Sequence, residues 1–320
     1  MRPLLMTVLT LFSLTALACR AEAEVVIVLN SGEGTITRID RQTYQPIDHF
    51  YVGREPHHLM SLPDNSALIV ADAVSNDLVF LDPKTGDILR RLTRISDPYQ
   101  IGFSPDKHWF VANSLRLDRV DVYDARDFHL VKRFELASMP SHMAFSPDSS
   151  MVFVTLQGSD QLAAIDLRSL TVKWVIPIGK TPAGVILTPD GKHLLVGIMG
   201  QNEVAVVDYK TAQIIKHIPA GKGTHNFMPE GDGRHIFVGN RSGDTVSIID
   251  TKTLTITKTF PVPGGPDDME VSADGKELWI TNRWIRQVSV VDLSTDKVVR
   301  TIPVGKSPHG IFFEHHAARL

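Results

Sequence analysis

Seven aspartates recur at a fixed spacing of 42 residues: Asp40, Asp82, Asp124, Asp166, Asp208, Asp250 and Asp292. A second column keeps the same period, running Pro56, Pro98, Pro140, Pro182, Thr224, Pro266 and Pro308. Two columns held in register over most of a 320-residue chain leave very few architectures open. A period in the low forties, rich in β-branched residues and punctuated by Pro-Asp-Gly turns, is the pattern of propeller blades. The unbroken repeat leaves no place for a domain boundary, so residues 24–320 are expected to form one all-β domain.

Residues 56–97 show how one repeat is cut. His57 to Leu62 reads as an inner strand and Ala67 to Ala71 as the second. Leu78 to Leu81 reads as the third and Ile88 to Thr93 as the outer edge. The joining turns, Pro63-Asp64-Asn65-Ser66 and Asp82-Pro83-Lys84-Thr85-Gly86, carry residues that accept the backbone angles of tight hairpins. Thr188-Pro189-Asp190-Gly191 and Ala273-Asp274-Gly275-Lys276 fall at equivalent places. The repeat opens on a second strand (Val25 to Leu29) and closes on a first strand (Gly310 to Phe313). Pairing those two would close a ring of seven four-stranded blades and remove the free edge. The recurring aspartates are expected to cap their turns by accepting backbone N–H bonds, because every blade has one.

The first 23 residues stand outside the repeat. Arg2 precedes an apolar run from Leu4 to Leu17, and Ala21-Glu22-Ala23 offers small residues for signal-peptidase cleavage. The apolar run is too short to span a membrane. Residues 1–23 therefore read as a signal peptide and the remainder as a periplasmic protein with no transmembrane segment. Cys19, the single cysteine, sits in Ala16-Leu17-Ala18-Cys19, a loose version of a lipoprotein box, so lipid anchoring is an alternative. Cleavage after Ala23 would leave no cysteine, and hence no disulfide, thiolate metal site or cysteine nucleophile. The net charge is −3 with acids and bases interspersed, which does not favour nucleic acid or an anionic membrane as partner. A monomer is expected, with a periplasmic protein as the conceivable partner.

In a repeat protein, function is sought where equivalent positions diverge. The residue after the recurrent proline runs His57, Tyr99, Ser141, Ala183, His225, Asp267, His309, and the next runs His58, Gln100, His142, Gly184, Asn226, Asp268, Gly310. These residues open the innermost strands and should ring the central channel at one mouth. Ring closure makes His309 a neighbour of His57, so four consecutive blades present His225, Asp267, His309 and His57 at one level, with His58 and His142 near them. Neutral imidazoles with a carboxylate suit Zn, Cu or Fe. Strand alternation predicts that one residue of each pair, His57-His58 and Asp267-Asp268, points inward. The competing reading is a wet polar lining that holds ordered water.

Loops joining second and third strands should reach the same mouth. They carry Asn240-Arg241, Asn282-Arg283-Trp284 and Arg286 in the blades of His225 and Asp267. Arginines beside a tryptophan could hold a flat, carboxylate-bearing ligand through bidentate bonds and stacking. Alternatively, they form a surface network with Asp244 or Asp268. His108, His193 and His235 fall on the opposite, turn side and receive no role. No Gly-x-Ser-x-Gly, phosphate loop or dinucleotide fingerprint is present, and the lack of Cys-x-x-Cys-His excludes covalent c-type haem.

Val238-Gly239-Asn240 followed by Thr245-Val246-Ser247-Ile248-Ile249-Asp250, and Ile280-Thr281-Asn282 followed by Val288-Ser289-Val290-Val291-Asp292, resemble the repeats of the YVTN (YncE-like) family of seven-bladed propellers. The likeness covers residues 24–313 and implies the fold more than an activity. The ending Ser307-Pro308-His309-Gly310-Ile311-Phe312-Phe313 is similar to the close of cytochrome d1-type propellers, which include haem d1 nitrite reductases. That resemblance implies a haem d1-like tetrapyrrole held by His57, His225 and His309 with Arg241 and Arg283. The chain lacks the attached cytochrome c domain of the reductases, which argues against reductase activity. Three functions follow in order of preference. The first is a binding or accessory protein holding a metal or tetrapyrrole, the second a cofactor-free interaction scaffold, and the third a metal-dependent oxidoreductase.

Overall fold

In a computed structural model that describes residues 24–319, the chain forms 28 strands in seven four-stranded antiparallel sheets. The signal-peptide expectation for residues 1–23 and the lipid-anchor expectation for Cys19 lie outside the described residues. Blade 2 consists of Pro56–Ser61, Leu68–Asp72, Asp77–Leu81 and Ile88–Thr93, in spatial as in chain order. Blades 3 to 7 repeat it, with inner strands Gln100–Phe103, Pro140–Phe145, Pro182–Leu187, Thr224–Pro229 and Pro266–Val271. Blade 1 is composite. Val25–Asn30 takes Pro308–Phe312 as its inner neighbour, with Ile27 opposite Phe312 and Val28 opposite Ile311. The two ends of the repeat thus close the ring.

Each sheet is covered on both faces by neighbouring blades, which is why its middle strands are almost wholly apolar rather than alternating. Val25–Asn30, Asp77–Leu81 and Met151–Leu156 are buried along nearly their whole length, whereas the outer strand Ile88–Thr93 is largely exposed. Between blades 3 and 4, Val111 and Val122 pack against Val152, Val154 and Ile165. At the closing junction Trp279 of blade 7 stacks on Tyr44 at 5.5 Å and meets the fully buried Phe313 edge-on.

The aspartate column does what its recurrence predicts. In all seven blades its Oδ1 accepts the backbone N–H two residues on, at 2.8–2.9 Å, as in Gln42 to Asp40 and Ser294 to Asp292. The proline column marks a different device. In blade 2, Pro56 lies opposite Asp72 and Leu59 opposite Val70, so three steps on the inner strand match two on its neighbour. The same bulge recurs in blades 4, 5, 6 and 7, and a register shift stands at the equivalent place in blade 1. A bulge inserts a residue and re-aims the side chains that follow it. The two divergent columns occupy these bulges.

Candidate functional site

The bulge overturns the expected alternation in blade 2. His57 and His58 are both buried and both face the channel axis, with ring centroids 4.8 Å apart. His309, from the closing strand, lies 3.8 Å from His57 and 4.6 Å from His58, centroid to centroid. One nitrogen from each of these three imidazoles can be chosen so that all lie within 4.8 Å of one another. The chain of rings continues from His58 to His142 at 5.4 Å and from His142 to His225 at 5.3 Å. All five histidines singled out from the two columns therefore form one contiguous cluster. In blade 7, which has the same bulge, both residues of the pair again reach the channel: Asp267 faces the cluster, while Asp268 lines the channel below it and accepts a hydrogen bond from the Asn226 amide at 3.2 Å.

The cluster is shielded from bulk solvent despite its place near a channel mouth. His57, His58, His142, His225 and His309 expose between 0 and 7% of their surface. Gly184 shows how tightly this level is packed, since an added Cβ would stand 2.4 Å from the His225 carbonyl oxygen. Tyr99, which sequence reasoning left out although it stands in the same column as His57, packs on the His57 ring at 4.1 Å.

The electrostatics are set by one buried carboxylate. Asp267 is bonded by Arg241, and its Oδ2 accepts from Arg283 Nη1 at 3.0 Å. Arg241 Nη2 also lies 2.8 Å from His225 Nε2, and His225 Nδ1 is 3.2 Å from Asp267 Oδ1. Burial alone would raise the Asp267 pKa, but Arg241, His225 and Arg283 together hold it well below the usual carboxylate range. The alternative of a surface network with Asp244 or Asp268 is thus corrected. Both arginines pair with Asp267, while Asp244 Oδ1 instead accepts the Gly264 and Gly265 N–H groups at 3.0 and 2.9 Å.

Burial pushes every imidazole of the cluster down. His58 falls to about 4 and His142 to about 3. His57, His225 and His309 also lie well below 6.5, with burial as the largest cause in each. All five are neutral near pH 7, the protonation state in which imidazole binds metals. Their polar atoms are poorly used. His57 Nδ1, His58 Nε2, His142 Nε2 and both nitrogens of His309 are buried with no hydrogen-bond partner. A buried polar group without a partner costs free energy, on the order of 1–3 kcal/mol each, so five in one cluster call for a shared partner.

Not every candidate converges. Asp267 lies 3.6 Å from His309 Nε2, yet its oxygens are engaged by the two arginines. Trp284 is more than half exposed, its ring resting over Gly265. Arg286 lines a rim cleft with Glu33 and His49, away from the imidazoles.

No curated protein matches the chain. Among solved structures, a functionally unknown protein from Desulfotomaculum acetoxidans DSM 771 is 15% identical, covers 92% of this chain over 99% of its own, and superposes with a TM-score of 0.78. The dihydro-heme d1 dehydrogenase NirN, solved in complex with DHE, is 18% identical over 92% of this chain and 76% of its own, with a TM-score of 0.67. Hydrazine synthase of Kuenenia stuttgartiensis is 20% identical over 82% of this chain and 91% of its own, with a TM-score of 0.68. At these identities the likeness is one of fold. The family model, by contrast, matches residues 4–319, nearly the whole sequence, and with the seven-bladed ring it establishes that the chain belongs to the YncE-like beta-propeller family.

Proposed function

We propose that this propeller is a binding protein for a transition-metal ion, held by His57, His58 and His309. The observation that carries the reading is the convergence of buried, neutral imidazoles whose nitrogens have no other partner. Imidazole ligands suit Zn, Cu, Fe and Ni, and such an ion would supply Lewis acidity or, for Cu and Fe, an electron-transfer centre. His142 extends the ligand shell on one side. His225 is tied into the Arg241–Asp267–Arg283 network, whose two guanidiniums outweigh its one carboxylate and help burial to keep His57 and His309 unprotonated.

A tetrapyrrole fits this arrangement less well. The imidazoles of His57, His58 and His309 are packed ring against ring at centroid spacings of 3.8 to 4.8 Å, which leaves no slot between them for a planar macrocycle. The likeness to NirN, a protein solved with DHE, keeps the tetrapyrrole as an outcome of the test rather than as the leading reading. Export, expected from residues 1–23, would place the site in the periplasm, and N-terminal sequencing of protein recovered from that compartment checks it.

The test is elemental analysis of native protein together with titration of metal-free protein by Zn(II) and Cu(II). About one ion per chain is expected, with binding lost in His57→Ala and in His309→Ala while far-UV circular dichroism is unchanged. Folded protein that neither carries nor takes up metal would overturn the reading and leave an interaction scaffold in front. Iron accompanied by a visible porphyrinoid spectrum would favour the tetrapyrrole.

A further inference from the structure

Below the imidazoles the channel widens into a cavity of about 660 Å³, a size typical of small-molecule sites. Its wall is largely apolar, with Ile101, Met143, Phe227 and Met269 among the lining residues. His58, Gln100, Asn226 and Asp268 also line it, all from the second divergent column. Next to Met269, Glu270 is 1% exposed, a carboxylate embedded where water barely reaches. A buried carboxylate is kept ionised only by a cation beside it.

The cation comes from the stretch that follows the closing strand. His316 bridges Ser272, the Ala317 N–H donates to the Val271 carbonyl at 2.8 Å, and the Ala273 N–H donates to the His315 carbonyl at 3.1 Å. These bonds lay the stretch along the inner strand of blade 7 and carry Arg319 into the channel, where it pairs with Glu270. Its guanidinium carbon stands 6.0 Å from the centroid of the Phe312 ring. The Arg319 side chain keeps 37% of its surface exposed, against 1% for that of Glu270.

We infer that the channel is a binding site for an organic cation, a guanidinium, amidinium or ammonium head on an apolar body, and that Arg319 occupies the head position as a tethered competitor. The head would take the place where the Arg319 guanidinium now meets Glu270, beside Asp268 on the cavity wall, and the body would lie against the thioether and aromatic wall. Thioethers are unbranched and polarisable and adapt to irregular apolar partners, so the wall sets a class of ligand rather than one shape. A tethered occupant competes at an effective concentration in the millimolar range for a short flexible connection. The apparent affinity of a free ligand is then reduced by the fraction of time the site is blocked. Of the imidazole triad only His58 touches this cavity, and the Glu270–Arg319 pair does not depend on whether the triad binds metal.

The experiment measures benzamidine binding to the full-length protein by calorimetry. Arg319→Ala, and Arg319→Gln as a variant that preserves bulk, should bind at least about tenfold more tightly than wild type, the scale expected for removing a mostly bound competitor. Adding Glu270→Gln to either variant should abolish the gain, with thermal melts confirming that each protein is folded. Two results would overturn the inference: Arg319 variants that bind no better than wild type, or a double variant that binds as tightly as the single.

Discussion

Asp72 shows at the scale of one residue how a departure from the repeat is felt. The equivalent position in blades 1, 6 and 7 is an asparagine that locks its loop. The Asn30 and Asn240 amides donate to Thr35 and Thr37 and to Thr245 and Ser247, while their Oδ1 atoms accept the Gly305 and Gly221 N–H groups. In blade 7 the corresponding donor is Pro263, which has no N–H, and Asn282 Oδ1 is left buried without a partner. Asp72 is fully buried with both oxygens unpartnered by hydrogen bonds, and burial followed by the nearby Asp77 raises its pKa to about 8. The folded state therefore holds a proton that the unfolded chain, near 3.8, has released, and stability falls as pH rises between those values. Asp72→Asn restores a donor toward Asp77 and removes that titration. It should stabilise the protein by about 1–3 kcal/mol at pH 8.5, and by clearly less at pH 5. Urea denaturation at both pH values checks this, and a stabilisation independent of pH would contradict it.

At the scale of elements, the turns were legible because each answers to a local rule. The aspartate two residues before its N–H partner is such a rule, and the blade edges drawn from Pro, Asp and Gly fall within a residue or so of the observed strands, as in Leu68–Asp72 and Ile88–Thr93. The bulge was not legible. It inserts a residue by comparison with the neighbouring strand, and one strand read alone shows period two and nothing else. That is why alternation assigned one histidine of the His57-His58 pair to the channel when the bulge aims both there. Arg319 was missed for a related reason: no repeat contains it, and only the folded path of residues 314–319 brings it to Glu270. The closing strand carries its own prediction. Phe313 is fully buried against Trp279, with the Arg41 guanidinium 4.4 Å from its ring centroid. Phe313→Ala should cost about 3–5 kcal/mol, as read by urea denaturation, and a cost under 1 kcal/mol would mean the seam bears little of the ring's stability.

At the scale of the whole molecule, the interior divides into levels along one axis. The imidazoles sit near one mouth, the apolar collar lies beneath them, and the Glu270–Arg319 pair lies toward the other. Column statistics located the first level because function stands out where a repeat diverges. They were silent on burial, which depends on how seven strand openings crowd together. A ligand that binds only the folded ring stabilises it by mass action, about 2.7 kcal/mol at a hundredfold excess over its dissociation constant. Zn(II) or Cu(II) at that excess should therefore raise the melting temperature of metal-free wild-type protein and leave His57→Ala/His309→Ala unmoved. An equal rise in both would trace the effect to some other site.

The composite first blade has a consequence for when this site comes into being. His57 and His309 are separated by 252 residues of sequence and become neighbours only when Pro308–Phe312 docks on Val25–Asn30. No chain that stops short of that strand, and no ring still open at the seam, can present the triad. Loading of the site is thus a record that synthesis, folding and closure have all been completed, and an unfinished molecule has nothing with which to capture the ligand.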